Sequence, residues 1–185
     1  MDVTKILEAD HAGAKKLFAD IQRAEGADRQ PLIDQLTREL RAHMDLEEAV
    51  VYPTMGPVTG TEAVEEANTE HALARNALND VNDLAPDEPG FGAALASLEA
   101  GITHHVEEEE GEAFPALRKN GSVLEKMATP FMTKRLELGM AIDVDALASS
   151  TTKDELIAEA SSAGVDGARS MSKAELAKAL ADKMS

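Results

Sequence analysis

Four segments of this chain carry apolar side chains at alternating steps of three and four residues, and every one of these apolar stripes includes a histidine. This period is typical of amphipathic helices that bury one face. The four stripes are Leu7, His11, Ala14, Phe18, Ile21; then Leu36, Leu40, His43, Glu47, Val50; then Val64, Ala67, His71, Ala74, Leu78, Val81; and Ala94, Leu98, Ile102, His105, Glu109, Ala113. The sequence therefore predicts an all-α chain whose helices bury ionisable groups together with their core.

Prolines and glycines mark the ends of the four segments. The second segment has Pro31 near its start and is expected to stop at Tyr52-Pro53, and the fourth meets Pro115. The third begins after Gly60 and ends before residues 86–90, whose two prolines and one glycine break a helix. Because the connections are short, neighbouring helices should run antiparallel in an up-down-up-down four-helix bundle.

An extra helix and a small C-terminal unit are expected beyond the bundle. A Ser122–Glu125 capping box should start an accessory helix, interrupted by Pro130, that packs outside the bundle, and residues 141–150 should form a linker. Two further capping boxes, Thr152–Glu155 and Ser172–Glu175, predict a helix-loop-helix. The predicted units are 1–120 for the bundle, 121–150 for the accessory helix and linker, and 151–185 for the C-terminal unit.

The two halves of the bundle repeat each other. Asp10-His11-Ala12 precedes His43 much as Glu70-His71-Ala72 precedes His105, and both halves end on the same offsets of His, Glu, Glu, aromatic residue and Pro. A pseudo-twofold relation would bring the two halves of one site together at the bundle axis. The duplication therefore predicts a single site built from all four helices.

The repeated His-x-x-x-Glu pattern predicts metal ligands. His43 and Glu47 lie one turn apart on the same helix face, so both can reach one metal or two adjacent metals. Burying carboxylates on stripes without Lys or Arg costs on the order of several kcal/mol each unless a cation is present. A lone histidine on such a face is usually a hydrogen-bonded core residue, but the whole set indicates a metal site. The predicted ligands are His11, His43, Glu47, His71, His105 and Glu109.

One alternative frame exists, because His104 and Glu108 also form His-x-x-x-Glu. Their face has no apolar continuity, whereas His105 follows Ile102 on the stripe. His104 is therefore expected to be an exposed neighbour or a donor behind the ligands. The carboxylates outside the stripes are expected to be solvated; they are Glu48, Glu107, Glu108 and Glu110.

Composition restricts the metal and the partners. The chain has no Cys, so its ligands must be nitrogen and oxygen, which suit iron or manganese better than copper(I), and two carboxylates can bridge ions roughly 3.5–4 Å apart. The net charge of -17 disfavours nucleic acid and anionic lipid as partners. No segment approaches the roughly 20 apolar residues of a membrane span, so a cytoplasmic protein is expected.

The ligand pattern, with its Glu-Glu and aromatic-Pro endings, resembles the hemerythrin-type HHE cation-binding domain over residues 1 to about 120. This resemblance implies a non-haem centre of two iron ions, in preference to manganese, with an oxo or hydroxo bridge and two bridging glutamates. It also implies that the protein binds, senses or detoxifies oxygen, hydrogen peroxide or nitric oxide. Oxygen carriers of the family use five histidines, whereas this chain offers four in symmetric positions.

Residues 151–185 resemble the small N-terminal helical module of transcription terminator Rho and related SAP-like units. The likeness is carried by Thr152-Lys-Asp-Glu-Leu156, Gly164-Val165 and Met171-Ser-Lys-Ala-Glu-Leu176. The segment holds 5 Lys+Arg and 6 Asp+Glu without a basic stripe, which favours a protein-docking or stabilising role over nucleic-acid binding.

Three functional hypotheses follow. The first is a di-iron protein of oxidative stress that reacts with or senses oxygen-derived or nitrogen-oxide species. If it is an enzyme, the expected reaction is peroxide breakdown, because four histidines and two bridging glutamates leave two coordination positions open. The second is a non-catalytic oxygen or iron buffer, and the third is a metal-free helical interaction module. The sequence leaves open whether the protein is an enzyme, a sensor or a carrier.

Overall fold

The computed structural model describes residues 2–142 and 144–184, and within these ranges the chain has helices and no β-strand. The α-helices are α1 Val3–Arg23, α2 Arg29–Leu46, α3 Tyr52–Thr59, α4 Thr61–Asn82, α5 Phe91–Glu108, α6 Phe114–Arg118, α7 Gly121–Glu137, α8 Val144–Ser150, α9 Lys153–Ser162 and α10 Lys173–Met184. The all-α prediction is confirmed. Residues 1, 143 and 185, which fall in the predicted units, lie outside the described residues.

The four long helices α1, α2, α4 and α5 form the predicted antiparallel bundle. One apolar cluster contains the start of α1 and α4 and the end of α2, with Leu7, Leu46 and Ala67. A second cluster contains the opposite ends of the same helices, with Phe18 and Leu36. In each of the four segments, the histidine of the apolar stripe lies between residues of the first cluster and residues of the second. The bundle therefore has a polar layer between two apolar cores.

Two wide turns let the second and fourth segments continue past their prolines. Residues 47–51 form a π-helical turn that joins α2 to α3, and residues 109–113 form another that joins α5 to α6. The amide of Tyr52 donates to the carbonyl of Glu47, five residues back. Pro53 follows at the start of α3, where a missing amide hydrogen is tolerated. The expected stop at Tyr52-Pro53 was therefore wrong.

Helix α7 contributes to the core instead of only lying outside it. Leu124, Met127 and Phe131 are buried in the same apolar cluster as the start of α1. The helix begins at Gly121 without a side-chain cap and continues through Pro130, so the expected capping box and interruption were both wrong. Because three of its apolar residues are buried there, α7 covers one end of the bundle.

Helices α8–α10 pack on the outer side of α1. Leu147, Leu156 and Leu176 form a third apolar cluster with Ala9 of α1. Helix α8 occupies the region that was expected to be a linker. The capping box at Thr152 forms as predicted. The one at Ser172 forms as well: the amide of Ser172 donates to the carboxylate of Glu175, and the amide of Glu175 donates to the hydroxyl of Ser172. The division of the chain into three units remains a prediction.

Arg135 connects α7 to the first helix of the bundle. Its guanidinium is buried, forms an ion pair with Asp10 and donates to the carbonyl of Ala141 at 3.0 Å. The same group lies 5.8 Å from the ring centre of Phe131. One buried cation therefore fixes α1, α7 and the segment after α7 relative to one another. None of the described helices is long and apolar enough to cross a membrane.

We expect Arg135→Met to lower the free energy of unfolding by about 3–5 kcal/mol, because it leaves the Asp10 carboxylate without its buried partner. Urea denaturation followed by circular dichroism measures this. Lys134→Met is the matched control, because Lys134 forms a more exposed pair with Glu137 that should contribute less than about 1 kcal/mol. Equal losses in the two variants would contradict a structural role for the buried pair.

Candidate metal centre

The six predicted ligands come together in the polar layer of the bundle. They form two overlapping buried groups, each with its ligand atoms within 4.8 Å of one another. The groups are His11, His43, Glu47 and Glu109, and Glu47, His71 and His105. Because Glu47 belongs to both, the arrangement has the form of a site for two adjacent ions.

Within this layer the imidazoles face each other in pairs. The Nε2 atoms of His11 and His43 are 3.1 Å apart, and those of His71 and His105 are also 3.1 Å apart. Two nitrogen ligands at right angles on a metal, with bonds of about 2.1 Å, lie about 3.0 Å apart. The spacing of each pair therefore matches two ligands of one ion.

Each buried carboxylate lies between the two pairs. Oε2 of Glu47 is 3.2 Å from Nε2 of His43 and 3.4 Å from Nε2 of His71. Oε2 of Glu109 has the corresponding position between the other two imidazoles, at 3.5 and 3.6 Å. Both glutamates can therefore bridge the two ion positions.

An outer carboxylate faces the Nδ1 atom of every one of these histidines. The pairs are His11 with Glu110 at 2.9 Å, His43 with Asp10 at 3.6 Å, His71 with Glu48 at 3.0 Å, and His105 with Glu70 at 2.8 Å. A carboxylate there favours a hydrogen on Nδ1 and leaves the lone pair on Nε2, directed into the site. Glu110 is exposed, as expected, whereas Glu48 is half-buried; the contact that each makes with a histidine of the site was not expected.

The positions of these nitrogen lone pairs and of the buried carboxylate oxygens indicate whether a metal ion fits the site. Two Nε2 lone pairs 3.1 Å apart repel each other unless a proton or a metal ion lies between them. Both carboxylate oxygens of Glu47 and one of Glu109 are also buried without a hydrogen-bond partner among the described residues. Unpaired buried acceptors are costly, and a cation would satisfy all of them at once. The donor set fits a pair of metal ions.

The pKa values of His43 and Glu109 also show that the buried carboxylates favour positive charge or protons close to them. Burial lowers the pKa of His43, but the carboxylates of Glu47 and Asp10 outweigh it and raise that pKa to about 10. Burial and the neighbouring Glu47 raise the pKa of Glu109 well above its usual range. Protons therefore occupy the layer where a cation would otherwise balance the carboxylates.

Tyr52 is a site residue that the sequence did not reveal. Its hydroxyl oxygen is 2.9 Å from Nε2 of His71 and 3.3 Å from Nε2 of His105, and it donates to Glu109 at 3.2 Å. At about 100° per residue, a regular helix would place Tyr52 about 140° around the axis from Glu47. The π turn shortens that rotation, so the phenol lies with the ligand atoms of the His71–His105 pair.

The equivalent position in the second half of the chain is Phe114. Its ring stacks on the imidazole of His11, with centroids 5.8 Å apart and planes at 10°. A phenyl ring has no atom that can bind a metal. The two halves of the centre therefore differ: a hydroxyl lies beside one imidazole pair and only an apolar ring beside the other.

Two cavities reach the centre. The first, of about 370 Å³, is lined by all four ligand histidines and mostly apolar side chains, including Ile102, Val106 and Ile142, with the exposed Arg38 at its rim. The second, of about 360 Å³, lies between α3, α4 and the end of α5 and is lined by five carboxylates: Glu66, Glu70, Glu108, Glu109 and Glu112. The centre is therefore approached by one apolar and one acidic cavity.

His104 lies outside the buried centre. Its side chain is 65% exposed, and its Nε2 is 3.5 Å from carboxylate oxygens of both Glu70 and Glu108. Partial desolvation and the nearby Glu70 raise the pKa of Glu108. The helix frame that puts His105 inside and His104 outside agrees with this placement.

Comparisons with known proteins give consistent results. The family model described as the hemerythrin HHE cation binding domain matches residues 2–117. An uncharacterized hemerythrin-like protein of Schizosaccharomyces pombe is 30% identical over 132 residues, which are 68% of this chain and 65% of that protein. A Nostoc protein named DNA nickase is 26% identical over 141 residues, which are 75% of this chain but 40% of that protein. This chain thus spans less than two thirds of either relative.

A solved structure has the same fold. The crystal structure of a hemerythrin HHE cation binding domain-containing protein from Mycobacterium kansasii superimposes with a TM-score of 0.61, covering 82% of this chain and 99% of that one. The two sequences are 24% identical, so this likeness concerns the fold. The family match ends at residue 117, and the resemblance of residues 151–185 to the Rho module remains a prediction.

We expect Glu110→Ala to weaken metal binding at the centre at least about tenfold, because it frees the imidazole of His11 from its outer hydrogen bond. Competition with a chelator of known affinity measures this. Glu107→Ala is the matched control, because Glu107 is exposed and its loss changes the net charge equally. If both variants lost the same affinity, overall charge and not the hydrogen bond would be responsible.

Proposed function

This chain belongs to the hemerythrin HHE cation-binding domain family, and from that membership we propose that it holds two iron ions and decomposes hydrogen peroxide. The observation that carries the proposal is the sharing of Glu47 between two buried groups of ligand atoms. Imidazole and carboxylate ligands without thiolate suit iron. The cation-binding property is that of the family, whereas the metal, its number and the reaction are our proposal.

The proposed ligand sets follow from the geometry. His11 and His43 would hold one ion, His71 and His105 the other, and Glu47 with Glu109 would bridge them. When bound, iron supplies the electron exchange by which one peroxide molecule is reduced to water while another is oxidised to oxygen. The outer carboxylates keep each imidazole lone pair directed into the site.

Tyr52 makes the two proposed ion positions unequal. Its hydroxyl oxygen can occupy a coordination position beside His71 and His105, which revises the expectation of two open positions. The corresponding ring, Phe114, leaves the position beside His11 free of any ligand atom. We therefore propose that a small molecule binds on the side of His11 and His43.

The apolar cavity reaches both imidazole pairs, and so it gives access to the position beside His11 and His43. Ile102, Val106 and Ile142 line it, and they favour a small neutral molecule over a hydrated ion. Hydrogen peroxide is neutral near pH 7 and small enough for this space. The same cavity would admit oxygen or nitric oxide, so binding or sensing of these gases is the alternative function of the same centre.

Peroxide-dependent oxygen release is the decisive test. We expect the iron-loaded protein to release oxygen on addition of hydrogen peroxide, and His71→Ala, which lacks a ligand, to be inactive. A protein that is inert to peroxide but forms an oxygen complex reversible over many cycles would favour the carrier hypothesis. A protein that binds no iron would favour the metal-free hypothesis.

The same preparation can be tested on supercoiled plasmid, because the Nostoc relative carries the name DNA nickase. Our expectation is that the plasmid stays intact, since the net charge of -17 repels the phosphate backbone. Iron-dependent nicking that His71→Ala lacks would instead assign the centre to nucleic acid.

The inequality of the two halves predicts different effects for two matched variants. Tyr52→Phe should keep iron but lose the visible absorption of a phenolate bound to ferric iron. Phe114→Tyr should slow oxygen release by about tenfold, because a new phenol would occupy the open position. Spectra and oxygen-electrode rates measure both. An unchanged spectrum in Tyr52→Phe would remove Tyr52 from the proposed ligands.

A further inference from the structure

The acidic cavity differs from the apolar one in the ligand it suits. Its lining combines five carboxylates with small and apolar side chains, and the described lining residues include no Lys or Arg. The apolar cavity is lined by only two carboxylates among the described residues, Glu39 and Asp10; Asp10 is already paired with Arg135, and the cationic Arg38 also lines the cavity. A cation is therefore attracted to the acidic cavity and not to the apolar one.

Where α4 and α5 meet, two of the residues that line this cavity, Glu70 and Glu108, form a set of possible ligands with the neighbouring His104. Glu70, His104 and Glu108 place one nitrogen and two carboxylate oxygens within 4.8 Å of one another. This combination suits a divalent first-row metal ion that is still partly hydrated. Because His104 is largely exposed, an ion from solvent can reach this group directly.

Glu109 connects the cavity to the centre. It lines the same cavity, is 3% exposed, and its Oε2 has no hydrogen-bond partner among the described residues. That oxygen is 3.6 Å from Nε2 of His105. A buried carboxylate oxygen without a hydrogen-bond partner at this place can bind an ion that leaves the outer group and moves inward.

Glu70 joins the outer group to the inner one. One of its oxygens faces His104 at 3.5 Å, and the other accepts a hydrogen bond from Nδ1 of His105 at 2.8 Å. The Glu70 side chain therefore contacts both the outer group, through His104, and the buried centre, through His105. Carboxylate oxygens are available along the way to replace water ligands.

We propose that the acidic cavity is the route by which ferrous ions enter the protein, with Glu70, His104 and Glu108 as a transit site that binds the ion first. This rests on the proposed metal centre. The ion exchanges water for carboxylate oxygens in steps, so it is never left without ligands in an apolar environment. Metal and peroxide then enter through separate cavities.

The rate of iron loading tests the route. Metal-free full-length protein is mixed with ferrous iron under anaerobic conditions at low ionic strength, and a ferrous chelator then captures the unbound iron at set times. We expect Glu108→Gln to load about five- to tenfold more slowly than the wild type, while reaching the same final iron content. Glu39→Gln, at the rim of the other cavity, is the matched control and should load normally.

A second variant separates ligand binding from attraction by charge. His104→Ala removes a nitrogen ligand without removing a negative charge, and it should also slow loading, by about threefold, at unchanged final content. A wild-type rate in His104→Ala would overturn the transit site. Equal rates in Glu108→Gln and Glu39→Gln would overturn the route, whereas a wild-type protein that takes up no iron would overturn the proposed function itself.

Discussion

The structure depends on two pairs of imidazole nitrogens that point at each other in the middle of a helical bundle. Outer carboxylates such as Glu70 and Glu110 keep hydrogen on Nδ1, so the facing Nε2 atoms present lone pairs separated by 3.1 Å. Lone pairs at that distance repel unless a proton or a metal ion lies between them. The apolar cores on either side hold the helices that carry these residues, so the bundle and the proposed ions would stabilise each other.

Duplication explains the outer carboxylates as well as the ligands. Asp10 and Glu70 stand directly before a histidine of the site, and Glu48 and Glu110 stand directly after Glu47 and Glu109, the proposed bridging residues. In both halves the preceding acid orients the histidine of the next helix, and the following acid orients a histidine of the other half. The two halves therefore hold each other's ligands in place.

Much of the fold and of the ligand set could be predicted from the sequence, because apolar periodicity and histidine position are local properties. The period of 3.6 residues placed His105 inside and His104 outside, as the structure has them. The same period did not predict the position of Tyr52, because Tyr52 follows a π turn in which the helix is not regular. No residue type in that segment indicates a π turn. The role of Glu110 depends on a helix distant in sequence, so periodicity alone made it a solvated residue.

The pairing of Tyr52 with Phe114 has a consequence for how such a centre can change over time. Two copies of one half-site begin with equal chemistry, and here they differ at these positions by a single oxygen atom. In the proposed centre, no helix would have to move for one half to hold its metal more firmly while the other stayed free to react. The division of labour within the centre can thus be reversed, removed or strengthened by point mutation, on a scaffold that remains the same.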